Sequence, residues 1–149
     1  MVTRTGYLMQ TPTTTTAHSV YNLNYHLVFV TKYRNKVLVG TVEEYVKAQL
    51  LVLCARYGWE LLAFEIMPDH VHLFLSAPPS TAPNTIARTL KSILTVSVFT
   101  QFPALKIERF WGSGLWSAGT YYGSAGTVSA ATIARYLENQ KIHVDEPER

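Results

Sequence analysis

The spacing of apolar and polar positions changes several times along the chain, and each change marks an element. Residues 24–31, NYHLVFVT, are β-branched and aromatic over the length of a strand and predict a first strand, followed by the basic turn KYRNK. From Thr41 to Tyr57, TVEEYVKAQLLVLCARY has helical spacing. Thr41 is the expected N-cap, Glu44 three residues later completes a capping box, and Gly58 is a natural stop. WELLAFEIM (59–67) and HVHLFLSA (70–77) read as two strands of a hairpin, joined by the turn residues Pro68 and Asp69. After the loop APPSTAP, NTIARTLKSILTVSVFTQF (84–102) predicts a second long helix stopped by Pro103. The glycine-rich, aromatic stretch FWGSGLWSAGTYYGSAG (110–126) predicts one irregular strand around Leu115–Tyr122. SAATIARYLENQKI (129–142) predicts a third helix with Ser129 as N-cap.

The resulting order, β-α-β-β-α-β with an added C-terminal helix, is that of an α+β, ferredoxin-like split βαβ fold: an antiparallel sheet with its helices on one face. A chain of 149 residues holds about one domain. The expected organisation is a flexible, threonine-rich arm over 1–20, a single domain over 21–143 and a tail over 144–149. Hydrophobic residues at 48% and charged residues at 15% exclude a disordered chain. The single cysteine, Cys54, excludes an intrachain disulfide. Its apolar helical setting predicts a buried thiol and fits a reducing, cytoplasmic location. No apolar run approaches the ~18 residues of a membrane span, and the N-terminus lacks a signal-peptide core, so no membrane partner is expected. A net charge of +3 and a pI of about 9.0 lean toward a polyanionic partner.

Within the hairpin, MPDHVHLFL (67–75) puts two imidazoles into an apolar run. Residues i and i+2 of a strand point to one face, about 6.6 Å apart along the chain, so His70 and His72 project together and Val71 points away. Two such imidazoles can converge on one metal ion. The alternative is two separately hydrogen-bonded histidines near a strand end. On the last helix, Tyr136 and Gln140 share a face. Gln140 falls in the apolar stripe of Ile133, Ala134 and Leu137, where an amide needs a polar partner. The alternative there is an ordinary amphipathic helix with a core tyrosine. Asp69 reads first as a turn residue and second as a hydrogen-bond partner of an imidazole. His26, on the first strand, reads as structural.

MPDHVHLFL, YHLVFVTKYR and ARYLENQ together resemble the single-strand DNA transposases of the insertion-sequence 200/605 type, members of the HUH (histidine–hydrophobic–histidine) superfamily with one catalytic tyrosine. The resemblance runs from about Tyr21 to Gln140. It implies that Tyr136 is the nucleophile and that His70, His72 and Gln140 hold a divalent metal, Mg2+ or Mn2+. It implies cleavage and rejoining of single-stranded DNA at hairpin-bearing transposon ends through a 5′-phosphotyrosine intermediate. It further implies a homodimer whose active sites are shared, the tyrosine helix of one subunit completing the histidines of the other. Gly119, Gly123 and Gly126 are consistent with a movable connection to that helix. Candidate DNA contacts are Lys32, Arg34 and Lys36 around Tyr33, and Arg88 and Lys91 on the second helix, with Trp111, Trp116, Tyr121 and Tyr122 as stacking surfaces. Three other readings compete. The first is a domesticated palindrome-processing HUH relative or replication nickase. The second is a ferredoxin-like module that holds single-stranded nucleic acid without cutting it. The third is a metal-dependent hydrolase with water as nucleophile.

Overall fold

The computed structural model describes residues 14–15, 20–21 and 23–125. The expected third helix over 129–142, with Tyr136 and Gln140, lies outside the described residues, as do the tail and most of the 1–20 segment. Two short strands, β1 (Thr14–Thr15) and β2 (Val20–Tyr21), pair antiparallel. They are followed by β3 (Asn24–Thr31), a 3-10 turn (Lys32–Arg34), α1 (Gly40–Tyr57), β4 (Glu60–Met67) and β5 (His70–Ser76). Then come α2 (Pro83–Gln101), α3 (Pro103–Glu108) and β6 (Trp116–Ala125). The main sheet has the order β4-β5-β3-β6, and each neighbouring pair is antiparallel. From β3 onward this is the expected ferredoxin-like arrangement.

The period-2 pattern decides the two faces of the sheet. Leu27 and Phe29 of β3 and Val71, Leu73 and Leu75 of β5 join a core closed by the helices. α1 contributes Val42, Val46, Leu50, Leu53 and Cys54, and α2 contributes Ile86, Ala87, Leu90, Leu94 and Val98; both sets fall on a single helical stripe. Each Val, Leu or Ile among them, fully buried, stabilises the fold by roughly 1.5–3 kcal/mol. Burial pushes the Cys54 thiol up to about 12, so it is an inert core residue, as expected. The other face of β5 carries His70, His72 and Phe74, and these are buried too.

The structure differs from the sequence pattern at several places. α1 begins one residue before Thr41. Its N-cap is Val39, no side chain caps it, and the Thr41–Glu44 capping box is not formed. Pro103 does not simply stop α2: it opens α3. The residue before a proline is pushed out of the helical region, and Phe102, at φ −128° and ψ 70°, makes the break between the two helices. β6 runs three residues beyond the expected end. It is irregular at its start, where its register against β3 shifts between Phe29 and Thr31. Gly119 and Gly123 therefore sit inside a paired strand and are not a hinge. Gly119 lies at the bulge. Gly123 leaves room for Tyr121, whose Oη would stand 2.9 Å from a Cβ added there. Gly126 lies outside the described residues. No described helix is long and apolar enough to cross a membrane.

Candidate active site

The hairpin register brings three histidines together on the sheet face turned away from α1 and α2. On β5, His70 and His72 stand opposite Val30 and Val28 of β3, and His26 of β3 stands opposite Phe74. His26, His70 and His72 are all at most 2% exposed. The rings of His70 and His72 meet nearly at right angles, with centroids 4.8 Å apart.

Each ring of the pair is anchored through Nδ1. His70 Nδ1 lies 2.7 Å from Asp69 Oδ1. A carboxylate only accepts, so Nδ1 is the donor here, and in the neutral ring the lone pair then lies on Nε2. The other Asp69 oxygen accepts from Arg34 Nε at 3.3 Å. Burial acts to raise the Asp69 pKa, but its hydrogen bond and charge interaction with His70, together with those with Arg34, outweigh it and hold the carboxyl below its ordinary value. His72 Nδ1 lies 3.2 Å from His26 Nε2. Burial lowers the His72 pKa to about 3, helped by the charges of His70 and His26, and burial alone lowers that of His26 to about 4. Both rings are therefore neutral at pH 7. A His72 that donates from Nδ1 to His26 presents a bare Nε2 lone pair. His26 is itself wedged against Phe74, with ring centroids 4.7 Å apart, and meets Tyr121 edge-on.

The two outer nitrogens, His70 Nε2 and His72 Nε2, are buried and have no hydrogen-bond partner among the described residues. A buried polar atom left so costs about 1–3 kcal/mol, and here two sit side by side with their lone pairs prepared. Two imidazole nitrogens so placed could hold a metal ion, and they suit Mn2+ better than Mg2+. Among the described residues no group of three or more His, Cys, Asp or Glu is disposed to hold a metal. The third ligand expected from the sequence, Gln140, lies outside them, and so does Tyr136.

Asp69 is thus more than a turn residue, and His26 more than a structural one: each orients one member of the pair. Losing such an orienting partner costs about 10–100-fold in metal affinity. We expect that range for Asp69→Asn, and for His26→Phe, which keeps the stacking on Phe74 but leaves His72 Nδ1 without an acceptor. Calorimetric titration with Mn2+ checks both, and wild-type affinity in either variant would contradict the orienting role.

The candidate DNA contacts divide into two groups. Lys32, Arg34 and Lys36 leave the end of β3 beside the Asp69–His70 pair, and Arg34 reaches it directly. Arg88 and Lys91 lie on the helix side of the sheet, lining a groove of about 410 Å3 with Asn84, Thr120 and Tyr122. Lys91 Nζ donates to Ser117 O at 2.8 Å, Thr120 Oγ1 at 3.0 Å and Gly119 O at 3.4 Å. Its three protons are engaged with β6, and burial lowers its pKa. Of the expected stacking residues, Trp116 is buried against Phe29, whereas Trp111, Tyr121 and Tyr122 are exposed.

The fold and the site define a class: a ferredoxin-like protein with a histidine–hydrophobic–histidine pair on a central strand, both outer nitrogens ready for a ligand. Residues 19–140 match the family model described as transposase, IS200-like. The chain is 40% identical over 121 residues to the ISDra2 transposase TnpA of Deinococcus radiodurans, covering 81% of this chain and 86% of that one. It is 30% identical over 124 residues to the transposase for insertion sequence element IS200 of Salmonella typhimurium, covering 83% and 80%. A crystal structure of a Deinococcus radiodurans R1 protein described as a transposase superposes with a TM-score of 0.69 at 38% identity, over 85% of this chain and 97% of that one. A REP-associated tyrosine transposase bound to a REP hairpin shares the fold, with a TM-score of 0.53 at 13% identity, over 85% of this chain and 68% of that one. The chain belongs to the IS200-like transposase family and is a DNA-processing enzyme of that family.

Proposed function

We propose that this protein cuts and rejoins single-stranded DNA at hairpin-bearing element ends, with Tyr136 as nucleophile and His70, His72 and Gln140 holding a divalent metal. The observation that carries the reading is the pair of buried Nε2 atoms on β5, unpartnered among the described residues, on rings that are each held at Nδ1 from behind. Bound there, the metal supplies positive charge to the scissile phosphate. Tyr136 Oη gives up its proton and attacks phosphorus. The P–O bond to the 3′-oxygen breaks, that oxygen takes up a proton, and the 5′-phosphate stays on the tyrosine. Attack by a different 3′-hydroxyl reverses the step and joins new strands without ATP. A free tyrosine ionises near pH 10, so reaching the phenolate at pH 7 costs about 4 kcal/mol, which is the help the site has to supply. Asp69 and His26 hold the imidazoles in place, and the exposed cations at the end of β3 offer contacts for phosphates.

The test is to incubate the protein with Mn2+ and a labelled DNA hairpin carrying single-stranded flanks, then look for a protein–DNA adduct that survives boiling in detergent. Hairpin binding by a protein of this fold motivates the probe. Cut DNA without adduct would point to a water nucleophile, and binding without cutting to a non-catalytic module. A domesticated relative would form the same adduct; hairpin-forming ends flanking the coding region distinguish the mobile element. The shared dimeric site has its own expected result. A His70→Ala, His72→Ala chain mixed with a Tyr136→Phe chain regains cleavage, with DNA attached to the histidine-mutant chain. A silent mixture with proven heterodimers rejects sharing.

A further inference from the structure

Three described residues other than glycine have positive φ: Tyr33 at 60°, Arg34 at 50° and Trp111 at 48°. All three belong to two loops that the sheet brings together, one after β3 and one before β6. This is backbone that side-chain-bearing residues rarely adopt, and it persists only where the surroundings enforce it. Here Lys32 N donates to Leu115 O at 2.8 Å, Asn35 Nδ2 donates to Arg109 O, and Thr31 Oγ1 donates to Asn35 O at 2.8 Å. The result is to turn two large aromatic rings outward. Tyr33 is 55% exposed and Trp111 74% exposed, and their ring centroids are 5.1 Å apart. Lys32 Nζ lies 5.6 Å from the Tyr33 ring, and Arg34, Lys36 and Arg109 are exposed in the same two loops, with Glu108 as their acidic neighbour.

We propose that Tyr33 and Trp111 form a stacking platform for an unpaired base of the DNA strand, with Lys32 and Lys36 taking its phosphates. The proposal rests on the DNA-cleaving reading above and adds a position to it. Arg34, the residue after Tyr33, donates to Asp69, which holds His70. The platform is therefore linked to His70 through Arg34 and Asp69, at the same end of the sheet as the histidine site, and so can hold the single-stranded flank near it. The ring spacing decides the mode of stacking. A base between the rings needs about 7 Å, twice the roughly 3.4 Å spacing of stacked bases. At 5.1 Å and a tilt of 57° the rings leave no such gap, so the base lies on the outer face of Trp111. Stacking on aromatic rings flanked by cations tolerates any base, so the platform contributes affinity and position more than sequence choice.

The chain has a built-in probe. Of its three tryptophans, Trp59 and Trp116 are 6% and 8% exposed, and Trp111 is the exposed one. Wild-type fluorescence should be quenched by a hairpin with a single-stranded flank, 5′ or 3′, and little by the same hairpin without one. Trp111→Ala should weaken binding of the flanked hairpin about tenfold, leave the bare hairpin unchanged and abolish the quench. Trp111→Phe should recover most of the affinity, and the unchanged thermal melting of both variants verifies their folding. Equal loss for flanked and bare hairpins, or wild-type affinity in Trp111→Ala, overturns the platform. So does a Trp111→Ala protein that binds DNA normally but sediments as a smaller species, which would make the patch a subunit contact. A wild type that forms the covalent adduct while failing these binding tests leaves the cleavage reading standing, so the two fail separately.

Discussion

Replacing Tyr136 by phenylalanine abolishes strand cleavage, by at least about 10^4-fold, and leaves hairpin binding within about twofold of wild type. The change removes one oxygen and keeps the ring, so packing and folding are preserved. In the proposed mechanism the loss is large because no other step substitutes for formation of the phosphotyrosine bond. Single-turnover cleavage of a flanked hairpin with Mn2+, read on a denaturing gel beside a binding titration, separates the two effects. A covalent adduct that survives in Tyr136→Phe moves the nucleophile elsewhere. Tyr121 and Tyr122 are the next tyrosines to test, being 52% and 44% exposed on β6. Of the two, Tyr121 is the stronger candidate because its ring already meets His26.

His70→Ala and His72→Ala each remove metal-dependent cleavage, by about 10^3-fold, which corresponds to roughly 4 kcal/mol of lost transition-state stabilisation. Both side chains are buried, with Nε2 unpartnered among the described residues, so truncation removes that lone pair together with the Nδ1 contact to Asp69 or His26. The variants should remain folded, since the apolar face of β5, with Val71, Leu73 and Leu75, is untouched. Gln140→Ala is expected to be milder, because water replaces one amide ligand. Calorimetry with Mn2+ on the same proteins must show the affinity falling in parallel. Full metal affinity in either histidine variant sinks the ligand assignment even if cleavage is lost.

The two histidines were legible in the sequence because strand periodicity alone places i and i+2 on one face. What prepares them was not. Asp69 is adjacent in the chain, but whether its carboxylate turns toward His70 depends on how the Pro68–Asp69 turn closes. His26 is 46 residues from His72, and only the β3–β5 register brings Nε2 within 3.2 Å of its partner. Lys91 looks in sequence like a solvated helical cation. Packing of α2 against β6 instead places its ammonium on backbone carbonyls of that strand.

By itself the sequence determined the order of the four sheet strands and the two long helices, the buried stripes of α1 and α2, the face shared by His70 and His72, and the family. All of these follow from local periodicity and short motifs, which the chain carries wherever it folds. Tertiary structure alone decided the rest: which imidazole nitrogens are anchored and which are left open, the division of the basic residues between the two sides of the sheet, and the meeting of Tyr33 with Trp111. Each of these depends on strand register and on which loops a paired sheet brings to the same end, and neither is encoded in the spacing of neighbouring residues.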